Sequence, residues 1–199
     1  MVTVASLDSS WYRAINEFAR DTPWAHNMLA NYANWAGLTL LALLLVSGWL
    51  IGRRRANAPR VTATAFLVGI GAVLALLLNQ AIGPAVARTR PCHGLTHVEV
   101  LLHCATDSSF PSDHAMIAGA FAAGLLLLNR RLGLLALLFA LLLAFARVYV
   151  GVHYPSDVAG GLIIGAAVGT LVVLILRPPT TTVATRLVRT PLRPLIVSK

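Results

Sequence analysis

The sequence predicts an all-α integral membrane protein: a five-span transmembrane helix bundle with an N-terminal interfacial helix. Three observations carry that prediction. Hydrophobic residues make up 57% of the 199 residues and charged ones 12%, against about 25% charged in an ordinary soluble domain. Long runs of Leu, Ala, Val and Ile recur along the chain, at lengths suited to a bilayer core. The acidic residues fall only in alternate segments between those runs, or at their edges.

The first element is the stretch "DSSWYRAINEFARD". It opens with the helix-capping residues Asp8, Ser9 and Ser10. Trp11, Ile15 and Phe18 then recur at i, i+4 and i+7, on one helical face. Two readings stand for this amphipathic helix: it lies on the outer membrane surface, or it packs against the bundle. No basic n-region and no apolar stretch precede residue 35, so no cleavable leader is expected.

Four apolar runs follow at 35–52, 61–83, 132–150 and 157–176. A fifth, 112–128, has 17 residues. At 1.5 Å per residue it reaches about 25 Å, short of a hydrocarbon core of about 30 Å. It can cross if its polar end lies in a protein-lined recess. On the last run Gly161, Gly165 and Gly169 repeat every four residues, a pattern for close helix packing. The organisation read from this is an interfacial segment at 1–34, a membrane domain at 35–176 and a basic cytoplasmic tail at 177–199. The tail, "RPPTTTVATRLVRTPLRPLIVSK", is expected to be unstructured or to lie along the anionic inner leaflet.

Charge orients the spans. Arg53, Arg54, Arg55 and Arg60 follow the first run. Arg130 and Arg131 join the third and fourth. Arg177, Arg186, Arg189, Arg193 and Lys199 follow the last. Together these are eleven of the 16 basic residues, and the positive-inside rule puts them in the cytoplasm. All seven acids (Asp8, Glu17, Asp21, Glu99, Asp107, Asp113, Asp157) then fall on the outer side, as does the N-terminus. The net charge of +9 invites a nucleic-acid partner. That reading is set aside, because the arginines cap apolar spans and do not alternate with aromatics on a polar face.

This topology gathers three polar clusters at the outer face: "VARTRPCHG" with Arg88 and Arg90, "FPSDHA" with Ser112, Asp113 and His114, and "ARVYVGVHYPSDVAGG" with Arg147, His153 and Asp157. Arg147 ends an apolar helix, where an ionisable residue is costly and marks function. The guanidinium fork matches phosphate oxygens and keeps its charge. A helix N-terminus at Ser112 adds backbone N–H groups aimed at an anion. The constellation reads as a phosphate cradle flanked by two histidines, one to attack phosphorus and one to protonate the leaving oxygen. Asp157 stands four residues after His153 and, in the first turn opened by Pro155, can point back and fix its tautomer. His153 is therefore the better nucleophile and His114 the acid.

Other readings stand beside these. Arg88 and Arg90 can anchor a span end to lipid phosphates. Ser112 can act as an N-cap as well as a phosphate ligand. A Ser-His-Asp hydrolase built on Ser112 lacks the Gly-x-Ser-x-Gly elbow. Cys92 and Cys104 share the outer loop and can form a disulfide. His93, His97 and His103 lie around them, at spacings that match no common zinc pattern.

The clusters together resemble the phosphatidic acid phosphatase type 2 superfamily of membrane lipid phosphatases. The matching residues are Arg90-Pro91, Pro111-Ser112-Asp113-His114 and Arg147…His153…Asp157. The resemblance implies that His153 is the nucleophile that becomes phosphorylated, that Asp157 orients it and that His114 is the general acid. It implies that Arg90, Ser112, Arg147 and the backbone N–H of Asp113 hold the phosphoryl group, with no metal and no cofactor. Three positions depart from the family pattern: Gly83 stands where it has a lysine, Ala146 where it has a serine before Arg147, and Asp113 where it has a glycine. Arg88 can supply the missing charge. The "RTRP" and "FPSDHA" forms, with "INEFARDTPW" before the first run, look most like the bacitracin-resistance branch of undecaprenyl-diphosphate phosphatases. That branch implies hydrolysis of a polyprenyl diphosphate to the monophosphate at the outer face of the bacterial inner membrane, recycling the cell-wall lipid carrier. Left open are another lipid phosphate as substrate (phosphatidic acid, phosphatidylglycerol phosphate, a polyprenyl sugar phosphate), transfer to an acceptor other than water, and a silent lipid-binding relative.

Overall fold

The computed structural model describes residues 4–198, which are helical wherever they are regular. The elements are α1 (Val4–Asp21), α2 (Pro23–Gly52), α3 (Ala58–Val86), a single turn α4 (Pro91–Gly94), α5 (Asp113–Leu128), α6 (Arg130–Tyr149), α7 (Pro155–Leu187) and a final turn α8 (Arg193–Ile196). Helices α2, α3, α6 and α7 are long and apolar enough to cross a membrane, and α5 is a shorter apolar helix. Five spans result. Phe66, Leu77, Leu138, Ile163 and Ile175 stay exposed on the outside of the bundle, as side chains facing lipid do.

Helix α5 is the centre. Ala115, Met116, Ala118, Ala120, Ala122 and Leu125 are all buried, and α2, α3, α6 and α7 pack around it. Its shortness is tolerated because protein, not lipid, surrounds its polar end. The α5–α7 crossing is close because the glycine stripe of α7 faces it. A Cβ on Gly165 would stand 1.9 Å from the Met116 carbonyl oxygen.

Helix α1 packs against the bundle, the second of the two readings given for it. Leu7, Trp11 and Phe18 are exposed, while Asp8, Tyr12, Asn16 and Ala19 are buried against the bundle. Tyr12 Oη donates to the Gly151 carbonyl at 3.1 Å, and the Asn16 side chain exchanges hydrogen bonds with the Glu99 backbone at 2.7 and 2.9 Å.

Two boundaries differ from expectation. The first long helix begins at Pro23, so the 34/35 division falls inside it, within a π-helical turn at Tyr32–Ala36. Helix α7 runs to Leu187 through Pro178 and Pro179. Thr180 and Thr182 hydroxyls bond back to the Leu176 and Pro178 carbonyls there, at 2.7 and 3.2 Å. The tail then folds back on α3: Ile196 is buried, its carbonyl accepts from Thr62, and Ser198 N donates to the Arg53 carbonyl. An unstructured tail is not what the chain forms.

Candidate active site

His153 lies in the short connection from α6 to α7. That connection turns at Gly151, whose φ of +86° favours glycine. A Cβ there would also stand 2.3 Å from the Glu99 carbonyl oxygen. The His153 ring is buried. Its Nδ1 sits 2.9 Å from the Ser109 carbonyl oxygen. A carbonyl only accepts, so Nδ1 carries the proton and Nε2 keeps its lone pair. That lone pair faces two guanidinium groups, Arg90 Nη1 at 3.1 Å and Arg147 Nη2 at 3.3 Å. Burial pushes the imidazole down to about 4; Asp157 opposes the shift, and Arg147 and Arg90 add to it. The ring is a neutral base at neutral pH.

Ser112 occupies the N-cap position of α5 but makes no capping bond. Its buried Oγ has no hydrogen-bond partner in the protein, and neither has Arg147 Nε. Orphaned donors of this kind call for a ligand, and a helix N-terminus favours an anionic one. Ser112 N donates to the Asp157 carbonyl at 3.2 Å, which joins the start of α5 to the first turn of α7. Asp113 opens α5, and its carboxylate accepts from the Asn79 amide of α3, which also reaches the Pro111 carbonyl at 3.0 Å.

His114 and Arg147 meet under the π turn of α2. His114 Nε2 lies 3.0 Å from the Asn34 carbonyl, and Arg147 Nη1 donates to the neighbouring Ala33 carbonyl at 3.3 Å. A π turn widens the backbone ladder and recurs at functional sites. Here it delivers two carbonyls to the two groups.

Asp157 is fully buried behind His153. Its Oδ2 accepts from Tyr154 N at 2.8 Å and stands 3.7 Å from His153 Nδ1. The direct hydrogen-bond partner of the ring is thus the Ser109 carbonyl, with Asp157 as its nearby counter-charge. Asp157 Oδ1 accepts from Arg88 Nη1 at 2.6 Å. Arg88 also holds the carboxylate of Asp8 and the hydroxyl of Ser156, and stacks 4.2 Å over the Tyr154 ring. The fork expected to face phosphate is occupied by two carboxylates. Burial alone would raise the Asp8 carboxyl; hydrogen bonds from Ser156 and Arg88 outweigh it and hold the group below the usual value.

A cavity of about 570 Å³ opens beside Arg90, with Asn79, Gly83, Asp107 and Asp113 on its wall. Arg90 is fastened there by Asp107, through Nε at 3.0 Å and Nη2 at 2.8 Å. Cys92 and Cys104 are joined as a disulfide. His93 Nδ1 or Nε2 lies near both sulfurs, but those sulfurs bond each other and are no thiolate ligands for zinc. The fold therefore gathers Arg90, Ser112, Arg147, His153 and Asp157 in one place, with His114 and Asp113 on its rim and Arg88 behind it. Sequence reasoning missed the Ser109 carbonyl, Asn79, Asp8 and the π turn. Only Asp8 carried a signal, as an acid on the inner face of an amphipathic helix.

The chain as a whole is similar to known proteins. Residues 62–180 match the family model described as the PAP2 superfamily. The undecaprenyl-diphosphatase BcrC of Bacillus subtilis is 36% identical over 65% of this chain and 64% of its own length. An Escherichia coli relative whose name, undecaprenyl-diphosphatase YbjG, is provisional is 33% identical over 80% of this chain and 78% of its own. Among solved structures, the transmembrane PAP2 type phosphatidylglycerolphosphate phosphatase from Bacillus subtilis superposes with a TM-score of 0.61, at 25% identity and 85% coverage of both chains. The family model, the identity to these relatives and the shared fold agree: the chain belongs to the PAP2 superfamily.

Proposed function

We propose that this PAP2 lipid phosphatase hydrolyses a polyprenyl diphosphate of the undecaprenyl type to the monophosphate and inorganic phosphate. One observation carries the chemistry: the neutral Nε2 of His153 faces Arg90 and Arg147, beside the orphaned Ser112 hydroxyl. The names of the relatives support the diphosphate as substrate.

In the first step His153 Nε2 attacks the terminal phosphorus. The P–O bond to the lipid monophosphate breaks, and His114 gives its proton to the leaving oxygen. Arg90, Arg147, Ser112 Oγ and the Asp113 backbone N–H stabilise the charge on the equatorial oxygens. The phosphoimidazolium keeps its Nδ1 proton on the Ser109 carbonyl and draws stabilisation from Asp157. In the second step His114, now a base, takes a proton from water. The water oxygen attacks phosphorus, the P–N bond breaks and phosphate leaves.

The site faces outward from the bacterial inner membrane in this reading. The charge distribution supports it, and a disulfide beside the site suits an oxidising compartment. The test is phosphate release by purified protein in detergent, without added metal, from undecaprenyl diphosphate, phosphatidic acid and phosphatidylglycerol phosphate in parallel. Release fastest from the diphosphate and lost in His153→Ala is the expected result. Preference for phosphatidylglycerol phosphate, the substrate named for the solved neighbour, would keep the mechanism and overturn the substrate.

A further inference from the structure

We infer that Asp8, on the amphipathic helix α1, is a positioning residue for the phosphatase site, acting through Arg88 and Ser156 on Asp157; this rests on the His153 mechanism above. The contacts are continuous. Asp8 accepts from Ser156 N at 2.9 Å and from the Ser156 hydroxyl, and it shares the Arg88 guanidinium with Asp157. Asp8 and Asp157 are both buried. No other carboxylate reaches Arg88 among the described residues.

The charge count gives Asp8 its role. Asp157 and Arg88 alone would be a neutral pair behind His153. Adding Asp8 returns the cluster to one net negative charge. That charge opposes the positive charge that His153 acquires only when its Nε2 bonds to phosphorus, so it stabilises the transition state more than the free site. Geometry follows the same path. Arg88 held between two carboxylates cannot swing out into the cavity whose wall it shares, and the Asp157 carboxylate keeps one orientation for Tyr154 N and His153.

The inference gives α1 a function beyond attachment. Its outer face, with Leu7, Trp11 and Phe18, is exposed and suits the membrane interface. Its inner face carries Asp8 to the site. A segment outside the five spans thereby completes the electrostatics of catalysis.

The experiment compares wild type, Asp8→Asn, Asp8→Glu, Arg88→Lys and His153→Ala in full-length protein, with undecaprenyl diphosphate as probe. Readouts are kcat, KM, rapid-quench phosphoenzyme formation and thermal unfolding. Asp8→Asn is expected to lower kcat and the phosphorylation rate about ten- to a hundredfold, the scale of an outer-shell partner, with KM within about twofold of wild type. Asp8→Glu, which keeps the charge, is expected to recover most of the loss. Unchanged kcat in a folded Asp8→Asn overturns the inference, as does an Asp8→Glu no better than Asp8→Asn. If Asp8→Asn fails to fold, Arg88→Lys decides: it loses the fork that bridges both carboxylates, so lowered kcat at unchanged KM supports the inference and wild-type kcat overturns it. A His153→Ala as active as wild type instead removes the mechanism on which the inference rests.

Discussion

His153 Nδ1–H donates a hydrogen bond to the carbonyl of Ser109, 2.9 Å away. A backbone group with no side-chain chemistry thus selects the tautomer of the proposed nucleophile. Nε2 is left unprotonated between two arginines without any change in the charge of its partner.

That relationship has a pH signature. With the ring pushed down to about 4, the acid limb that His153 imposes on the free protein lies well below the ordinary histidine value of about 6.5. Histidine NMR on 15N-labelled protein, without substrate, is expected to show a neutral His153 at pH 6. The unfolded chain binds the proton more tightly, so this residue's contribution to stability is complete above about 6.5 and declines as pH falls toward 4. A protonated ring at pH 6 would contradict the assignment.

The α5–α7 crossing predicts a packing defect. A Cβ on Gly165 meets a backbone carbonyl at 1.9 Å, and no side-chain rotation relieves that. Gly165→Ala is expected to cost about 1–3 kcal/mol through forced separation of the helices. It should also lower phosphatase activity, because the Ser112–Asp157 backbone bond spans the same crossing. Thermal unfolding in detergent, with activity measured in parallel, checks both.

Gly83 stands on the cavity wall, and a Cβ there meets its nearest neighbours, Ser108 and Phe110, at 3.7 and 3.9 Å. Room exists for the lysine that the family pattern has at this place. Gly83→Lys is expected to fold and, by adding a cation near Arg90, to tighten inhibition by vanadate about three- to tenfold. An unchanged inhibition constant would separate this wall from the anion site.

The Cys92–Cys104 bond closes a loop whose far end leads to Asp107, the carboxylate that holds Arg90. Cys92→Ser with Cys104→Ser is expected to lower stability by about 2–4 kcal/mol and to raise KM more than it lowers kcat. Unfolding curves and steady-state kinetics of the double variant report the two effects.

Much of this was legible in the sequence, for physical reasons. Spans follow from composition, because a bilayer tolerates no unpaired backbone and few charges. Arg90, Ser112, His114, Arg147, His153 and Asp157 stand out because charged or polar groups at the ends of apolar runs are costly. What stayed hidden acts through backbone atoms or across long separations. The Ser109 and Asn34 carbonyls have no residue-type signature. The Asp8–Arg88 pair spans 80 residues, and no local pattern in the sequence links the two. Arg88 reads as a phosphate ligand because it stands two residues before Arg90 and can supply the charge of the lysine replaced by Gly83. The chain leaves α3 through Ala87, in the left-handed region at φ 49°, and the two side chains reach different partners: Arg88 holds Asp8 and Asp157, and Arg90 holds Asp107 and faces His153.

The most direct test is to trap the intermediate. Undecaprenyl diphosphate labelled in its terminal phosphate is mixed with excess protein, quenched at alkaline pH within milliseconds and digested. The account predicts label on the peptide bearing His153, rising before free phosphate appears and missing in His153→Ala. Full-rate release of phosphate with no protein-bound label, or label that persists in His153→Ala, would contradict it.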